Sequence, residues 1–344
     1  MKTHDVYFDD SGKQPLVQFL GSSAISQSFV LCDEITKEYC LPILQELVDL
    51  GDFSIIEVPK GESNKTIETC NIVWRALTKV NADRKALLIN LGGGVLTDLG
   101  GFAASCYKRG IHFINIPTTL LAMVDASTGG KTGVDFGSFK NQIGVFSAPV
   151  FTWVHSIFLK TLPAMQIRSG AAEMIKHGLI YDAQHFEDVI INFQNPAPFI
   201  SDSVAIKQAV VTKDPTEKGL RKILNFGHTL GHAIESFFLN TSTPLLHGEA
   251  IALGMILETY LSHKQLNLSN KDLSKILESI QRFYSLPKIE PSAYQNIIDL
   301  TKQDKKNEHG SVRYVGLKSI GKAVYDLPLH SEDILDAFAF YQSL

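Results

Sequence analysis

The chain has 344 residues, 44% hydrophobic and 20% charged. That balance is too apolar for a disordered chain, and the length accommodates roughly two domains of about 150 residues each. The net charge of −4 is spread evenly, with 14 basic and 16 acidic groups in residues 1–160 and 18 and 20 in the remainder. An even, mildly acidic balance speaks against a nucleic-acid partner. The four cysteines, Cys32, Cys40, Cys70 and Cys106, include no CxxC pair, and none lies in the last 238 residues. This argues against a disulfide framework or a thiolate zinc site and points to a reducing cytoplasm. The N-terminus carries acids where a signal peptide would be apolar, and no apolar run approaches the ~18 residues of a membrane span.

In chain order, Ser28–Cys32 reads as a strand, residues 34–50 as an acidic helix and residues 53–58 as a second strand. Residues 65–80 place Ile67, Val73, Trp74 and Leu77 on one side of a helix. Residues 86–91 form a continuous apolar run, the pattern of a strand buried on both faces. Three glycines follow, then a helical stretch to Lys108, then a strand at residues 111–116 closed by Pro117. Strands alternating with helices predict a Rossmann-like α/β domain with a parallel sheet over residues 1–160. Beyond it, residues 169–180, 203–212, 227–238, 248–263, 270–284 and 331–342 carry helical periodicity. Short β-like runs appear only near residues 312–315 and 323–325. Residues 161–344 therefore read as a second, mainly α-helical domain.

Several segments carry chemistry. Leu91-Gly92-Gly93-Gly94-Val95-Leu96-Thr97-Asp98 is a strand ending in glycines and opening into a helix, a geometry that lets backbone N–H groups approach a pyrophosphate. Its spacing is not GxGxxG, so the usual dinucleotide fingerprint is absent. Lys60-Gly61-Glu62-Ser63-Asn64-Lys65 follows a strand at the sheet edge where ligands bind, and a glutamate there can accept from ribose hydroxyls. Thr118 and Thr119 end another strand, and Asp125, Lys131, Lys140 and Asn141 follow within 25 residues around the Gly129-Gly130 pair. Lysines beside flexible backbone suit phosphate or carboxylate capture. Glu173, Lys176 and His177 share one helical face. His228 and His232 lie at i,i+4, and His247 starts the next helix. A glutamate and two of these histidines, drawn from separate helices, can hold Zn²⁺ and leave a position open for substrate. Lys207, Asp214 to Arg221, and Asp304 to Gly310 offer further cations to an anion.

Together these motifs resemble those of the 3-dehydroquinate synthases, within the sugar-phosphate cyclase family. GGGVLTDLGGFAA, PTTLLAMVDASTGGKTGV, KNQIGVF, TLP, SGAAEMIKHG, GLRKILNFGHTLGHAIE and HGEA occur in family order from about Lys60 to Ile320. The resemblance implies an active site between a nucleotide-binding and a helical domain, bound NAD, Zn²⁺ or Co²⁺, and a homodimer. It implies Glu173, His228 and His247 as metal ligands. It places Asp33, Lys60, Gly61, Glu62, Ser63, Asn64, Lys65, Gly94, Val95, Leu96, Thr97, Asp98, Thr118, Thr119, Lys131, Lys140, Phe158, Leu159, Lys160 and Thr161 around NAD. It places Asp125, Lys131, Asn141, Lys176, Lys207, Arg221, Asn225, His232 and one of Lys305 and Lys306 around the substrate.

The chain departs from the family pattern at Thr97, Ala126, Thr128, His177 and Pro215, where Gly, Ser, Val, Tyr and an acid are usual. The implied substrate is a phosphorylated sugar acid, 3-deoxy-D-arabino-heptulosonate 7-phosphate. The implied reaction oxidises a ring hydroxyl, eliminates phosphate, returns the hydride, opens the ring and closes a carbocycle by an aldol step. The nearest rivals are a cyclase acting on another sugar phosphate and a metal-dependent polyol dehydrogenase. The dehydrogenase pattern GGGSxxDxxK fails here at Val95 and Gly101. An NAD-binding sensor would not need the lysine set and the metal triad together.

Overall fold

The structure is a computed structural model. It describes residues 4–126, 129–137, 139–239, 241–302 and 312–344, the side chains of Ala126 and Phe139 excepted. The chain divides into two compact units, Met1–Pro163 and Ala164–Leu344.

The first unit contains the strands β1 (Asp5–Phe8), β2 (Ser28–Cys32), β3 (Phe53–Glu57), β4 (Leu87–Gly92), β5 (His112–Pro117), β6 (Lys131–Phe136), β7 (Phe139–Phe146) and β8 (Phe151–Val154). Its helices are α1 (Lys13–Leu20), α2 (Glu34–Tyr39), α3 (Leu41–Leu47), α4 (Ile67–Lys79) and α5 (Gly94–Cys106). Six strands form a parallel sheet in the order β1-β8-β5-β4-β2-β3. Every residue of β4 is buried, as its unbroken apolar run requires. Cys70, Val73 and Leu77 of α4 and Leu96, Leu99 and Phe102 of α5 pack with Leu31, Leu88 and Phe113 of the sheet.

The chain leaves β2 outward to β3 and returns to β4 on the other side of β2. This reversal makes a switch point, and the loops after β2 and β4 flank the crevice beyond it. The acidic helix expected over residues 34–50 is two helices. Pro42 lacks the N–H that would bond one turn back, and the chain breaks at Cys40. β6 and β7, which carry Lys131, Lys140 and Asn141, pair as an antiparallel hairpin. Gly133 and Gly144 face each other across it, and a Cβ on Gly133 would lie 2.6 Å from the Ile143 carbonyl oxygen.

The second unit contains α6 (Ala164–Tyr181), α7 (Ala183–Ile191), α8 (Ile200–Lys213), α9 (His228–Leu239), α10 (His247–Leu266), α11 (Asn270–Phe283), α12 (Tyr294–Lys302) and α13 (Ser331–Gln342). A two-stranded antiparallel sheet, β9 (Arg313–Ser319) with β10 (Lys322–Pro328), joins them. The periodic segments all became helices or strands, and α7 and α12 are additional. α10 is buried on nearly every side, which explains why its sequence shows no polar stripe. Leu253, Leu257 and Leu261 of α10 meet Leu230 and Ile234 of α9, Ile297 of α12 and Phe338 of α13. The N-terminus of α10 docks on α6, where Gly248 N donates to Ser169 Oγ at 3.0 Å.

Two stability measurements follow from this packing. A Cβ on Gly248 would sit 2.1 Å from the Ser169 carbonyl oxygen, a contact with backbone that no rotamer relieves. Gly248→Ala should therefore lower unfolding stability by about 2 kcal/mol, the scale of an overpacked core; an unchanged denaturation midpoint would refute this packing. His185 is buried, and burial holds its imidazole below the usual histidine value despite Asp202, Asp182 and Asp188 nearby. As pH falls below about 6.5, the unfolded chain takes up this proton first, so stability drops. His185→Phe should flatten that acid-side loss in urea titrations between about pH 6.5 and 5; parallel pH profiles would contradict it.

Candidate active site

In the first unit, β4 runs straight into the glycine turn. Gly93 caps α5 with extended backbone, and Thr118 N donates to the Gly92 carbonyl at 3.1 Å. A Cβ on Gly93 would lie 3.1 Å from the Thr119 methyl, so Thr119 closes against the turn. Gly94, Val95 and Asp98 are partly exposed there, whereas the Leu96 side chain is in the core. Thr97 is buried and its hydroxyl donates to the Gly94 carbonyl at 3.2 Å. Leu96 and Thr97 can thus offer a ligand their backbone but not their side chains.

Lys65 is 3% exposed. Its Nζ donates to Asp98 Oδ2 and Asn141 Oδ1, each at 2.6 Å. Burial disfavours its charge, but Asp98 and Glu62 hold its pKa above the ordinary lysine value. Asn141 has a left-handed φ of +51° and donates its N–H to Asp135 Oδ1 at 2.6 Å. Lys65, Asp98, Asn141 and Asp135 are therefore one network joining the turn after β3, the glycine-turn helix and the hairpin. Lys60, Gly61, Glu62 and Ser63 are exposed around it, with Asn64 Nδ2 bonded to the Lys60 carbonyl. Lys140 Nζ approaches Glu62 Oε1 at 3.9 Å. Asp33 caps α2 by accepting from Thr36 N at 2.8 Å. Phe158 is fully buried, whereas Leu159 is partly exposed and Lys160 and Thr161 are exposed. Asp125 is half-buried in the turn after β5, and Lys131 is exposed at the start of β6.

The second unit gathers its titratable groups more tightly. Residues Ser169 through Ile180 of α6 are all buried, including Glu173, Lys176 and His177. Lys176 Nζ donates to Glu173 Oε2. His177 Nδ1 bonds the Ser203 hydroxyl of α8 at 2.7 Å. The other carboxylate oxygen, Glu173 Oε1, is buried with no hydrogen-bond partner. His228 Nε2 faces it at 3.5 Å and His247 Nε2 at 3.6 Å. Burial opposes the charge of Glu173, yet Lys176, His247 and His177 hold its carboxyl well below the usual range.

Each imidazole is fixed from behind. His228 Nδ1 lies 3.0 Å from the Phe226 carbonyl; donating there leaves the Nε2 lone pair facing Glu173 Oε1, the arrangement of a ligand rather than of a hydrogen bond. His247 Nδ1 lies 3.3 Å from Glu235 Oε2. Burial would push the His247 pKa down, but the neighbouring Glu173 and Glu235 carboxylates raise it to about 9. The ring of His232 is 5.0 Å from that of His228, and donor atoms of His228, His232 and His247 all lie within 4.8 Å of one another.

This donor set fits a small divalent cation. A tetrahedral ion with ligands at about 2.0–2.2 Å separates them by about 3.3–3.6 Å, the spacing between Glu173 Oε1 and each facing nitrogen. One buried carboxylate oxygen and two imidazole nitrogens are also the ligand types zinc prefers, with the ion displacing any proton from the nitrogen it binds.

Lys207 and Arg221 are buried, at 5% and 4% exposure. Arg221 Nη1 donates to the Pro215 carbonyl at 2.8 Å, so this position meets the guanidinium through its backbone. Asp214 Oδ2 accepts from Gly219 N and Arg221 N. Asn225 Nδ2 donates to Glu217 Oε1 at 2.9 Å. Lys305, Lys306 and Thr128 lie outside the described residues. Ser203 and Asp135 lie outside the quoted motifs, and Ser169, Glu217 and Glu235 lie inside motif segments with nothing local to mark a role, because each acts through a partner distant in sequence or on another element.

A parallel-sheet unit with a glycine turn at its switch point, followed by a helical unit with a carboxylate and clustered imidazoles, defines the class that holds the sugar-phosphate cyclases and the metal-dependent polyol dehydrogenases. The 2-epi-5-epi-valiolone synthase of Streptomyces hygroscopicus subsp. jinggangensis 5008, solved with NAD⁺ and Zn²⁺ bound, superposes with a TM-score of 0.85. It is 27% identical, over 100% of this chain and 98% of that one. A probable glycerol dehydrogenase from Sinorhizobium meliloti 1021 shares the fold alone, with a TM-score of 0.61 and 14% identity over 100% and 99% of the two chains.

Sequence separates the two groups. Residues 55–169 match the family model for the 3-dehydroquinate synthase N-terminal region, and residues 170–307 match that for its C-terminal region. The 3-dehydroquinate synthase of Parabacteroides distasonis is 40% identical over 96% of this chain and 95% of its own. That of Pyrococcus abyssi is 41% identical over 87% and 89%. The chain belongs to the 3-dehydroquinate synthase family.

Lys65→Met should separate the network's structural role from that of an ordinary surface lysine. It strands Asp98 and Asn141 without their shared cation and should cost about 3 kcal/mol or more of stability, read from denaturant unfolding. A wild-type midpoint would show that the buried bridge carries no weight.

Proposed function

We propose that this chain converts 3-deoxy-D-arabino-heptulosonate 7-phosphate to 3-dehydroquinate and phosphate, using NAD and Zn²⁺ or Co²⁺ held by Glu173, His228 and His247. The observation that carries the reading is the orphaned Glu173 oxygen faced by two imidazole nitrogens at 3.5 and 3.6 Å. Family membership over both units supports the substrate and the overall reaction. When bound, the divalent ion supplies Lewis-acid polarisation of substrate oxygens, and NAD supplies a hydride acceptor that is regenerated within one turnover.

The chain's own residues bind, orient and move protons. Lys176, Lys207 and Arg221 are desolvated cations, so they attract a carboxylate or phosphate far more strongly than lysines in water would. Asn225, held by Glu217, presents a fixed amide to the substrate, and Asp125, Lys131 and Asn141 are the substrate-binding candidates of the first unit. His232 takes the proton from the hydroxyl that is oxidised. The backbone of Gly94 to Asp98 receives the dinucleotide phosphates at the start of α5, with the Lys60 to Lys65 turn, Asp33, Thr118, Thr119, Lys140 and the stretch Phe158 to Thr161 around the rest of NAD. The site thus works by position and electrostatics. Among the described residues, no helix is long and apolar enough to cross a membrane. The four cysteines are free thiols. The cytoplasm and a homodimeric state complete the reading.

A cyclase returns its hydride, whereas a dehydrogenase releases reduced cofactor. With Zn²⁺ and substoichiometric NAD, the enzyme should release many phosphates per NAD with no lasting rise in NADH absorbance. Stoichiometric NADH without phosphate would overturn the reading in favour of a dehydrogenase. Lys207→Met should lower kcat/KM by about tenfold or more, the scale of one charged hydrogen bond, with the fold intact by circular dichroism. Wild-type kinetics would remove Lys207 from the anion site.

A further inference from the structure

The helix that carries His228 begins without a side-chain cap of its own. The residue before it is Gly227, at φ +76°, which has no side chain to offer the unpaired N–H groups of the first turn. The acceptor comes from α10 instead. Glu258 is fully buried there, and its Oε2 accepts from Gly227 N at 2.6 Å while its Oε1 accepts from Leu230 N at 3.2 Å. His228 lies between the two capped N–H groups. A carboxylate also matches the positive end of the α9 dipole.

Glu258 stands 11 residues after His247, about three turns along the same helix. One side chain therefore ties the helix bearing one imidazole to the helix that begins with the other. The two helices meet in backbone contact at this point. A Cβ on Gly254 would lie 2.0 Å from the Gly227 carbonyl oxygen, and one on Gly231 would lie 3.0 Å from that of Ala250. Backbone packs on backbone here, with Met255 and Ile251 filling the space beside Gly227 and Gly231, so a change at the cap is transmitted to the backbone of His228.

We propose that Glu258 is a positioning residue for the divalent-cation site: by capping α9 from α10, it sets the separation between the His228 and His247 imidazoles. The proposal rests on the reading of Glu173, His228 and His247 as cation ligands. Glu258 acts through the backbone N–H groups on either side of His228. Outer groups of this kind change metal affinity by about 10–100-fold when removed.

The test uses the full chain, stripped of metal and titrated with Co²⁺, for wild type, His228→Ala, Glu258→Gln and Glu258→Asp. The visible band of bound Co²⁺ reports ligand geometry, and competition with a chelator gives affinity. Wild type should show a band that His228→Ala abolishes. Glu258→Gln keeps the side-chain volume and one acceptor, so it folds, but its amide N–H₂ faces a backbone N–H. It should bind Co²⁺ at least about tenfold more weakly, with a shifted band. Glu258→Asp is too short to reach both donors and should move both readouts the same way. If it unfolds, the glutamine variant decides. Folded Glu258 variants with wild-type affinity and spectrum would overturn the proposal alone, even if their melting temperature falls. A wild-type chain with no His228-dependent band would overturn the cation reading and this proposal with it.

Discussion

The site is organised around one oxygen atom. Glu173 Oε1 is buried inside the second unit with no hydrogen-bond partner, while its sister oxygen is held by Lys176. An ionised carboxylate in that position is costly unless positive charge meets it. Lys176 answers half of the requirement. The nitrogens of His228 and His247, fixed by the Phe226 carbonyl and Glu235, face Glu173 Oε1 at 3.5 and 3.6 Å, and the rest of the requirement is what we propose a divalent ion meets. The buried run of α6, the glycine contacts of α9 and α10, and the docking of Gly248 on Ser169 can be understood as what holds these three groups at that spacing.

The first unit solves a different problem with similar means. Its glycine turn lies at a switch point of the sheet, where helix N-termini and strand ends meet. Lys65 links the three segments around that turn from below, through Asp98 and Asn141. A buried lysine in this role is a structural bridge, which frees the exposed hairpin and loop lysines for ligand work. The fold itself is shared with glycerol dehydrogenases. Function therefore follows from the residues set on it: Val95 and Gly101 in place of the dehydrogenase serine and lysine, and the buried Lys176, Lys207 and Arg221 that we propose as the anion site.

Much of this was legible in the sequence because it is local. The apolar run of β4, the glycine turn and the i,i+4 pair of His228 and His232 are patterns within a few residues. The family motifs carried the rest of the proposed ligand set. What sequence could not display is contact between distant segments. The pairing of β6 with β7 left no local pattern because it depends on Gly133 and Gly144 meeting across strands. The break at Cys40 came from Pro42, a signal present but outweighed by the acidic helical stretch around it. Glu235 and Glu258 looked like ordinary helix residues, and only the crossing of α9 and α10 shows what their carboxylates touch.

The central claim is that Glu173, His228 and His247 converge on one divalent ion. Crystals of the enzyme grown with Zn²⁺ and measured on both sides of the zinc absorption edge test it most directly. The account predicts a single anomalous peak about 2.0–2.2 Å from Glu173 Oε1, His228 Nε2 and His247 Nε2. A peak bound by His228, His232 and His247 without Glu173, or no peak near α6, would contradict it.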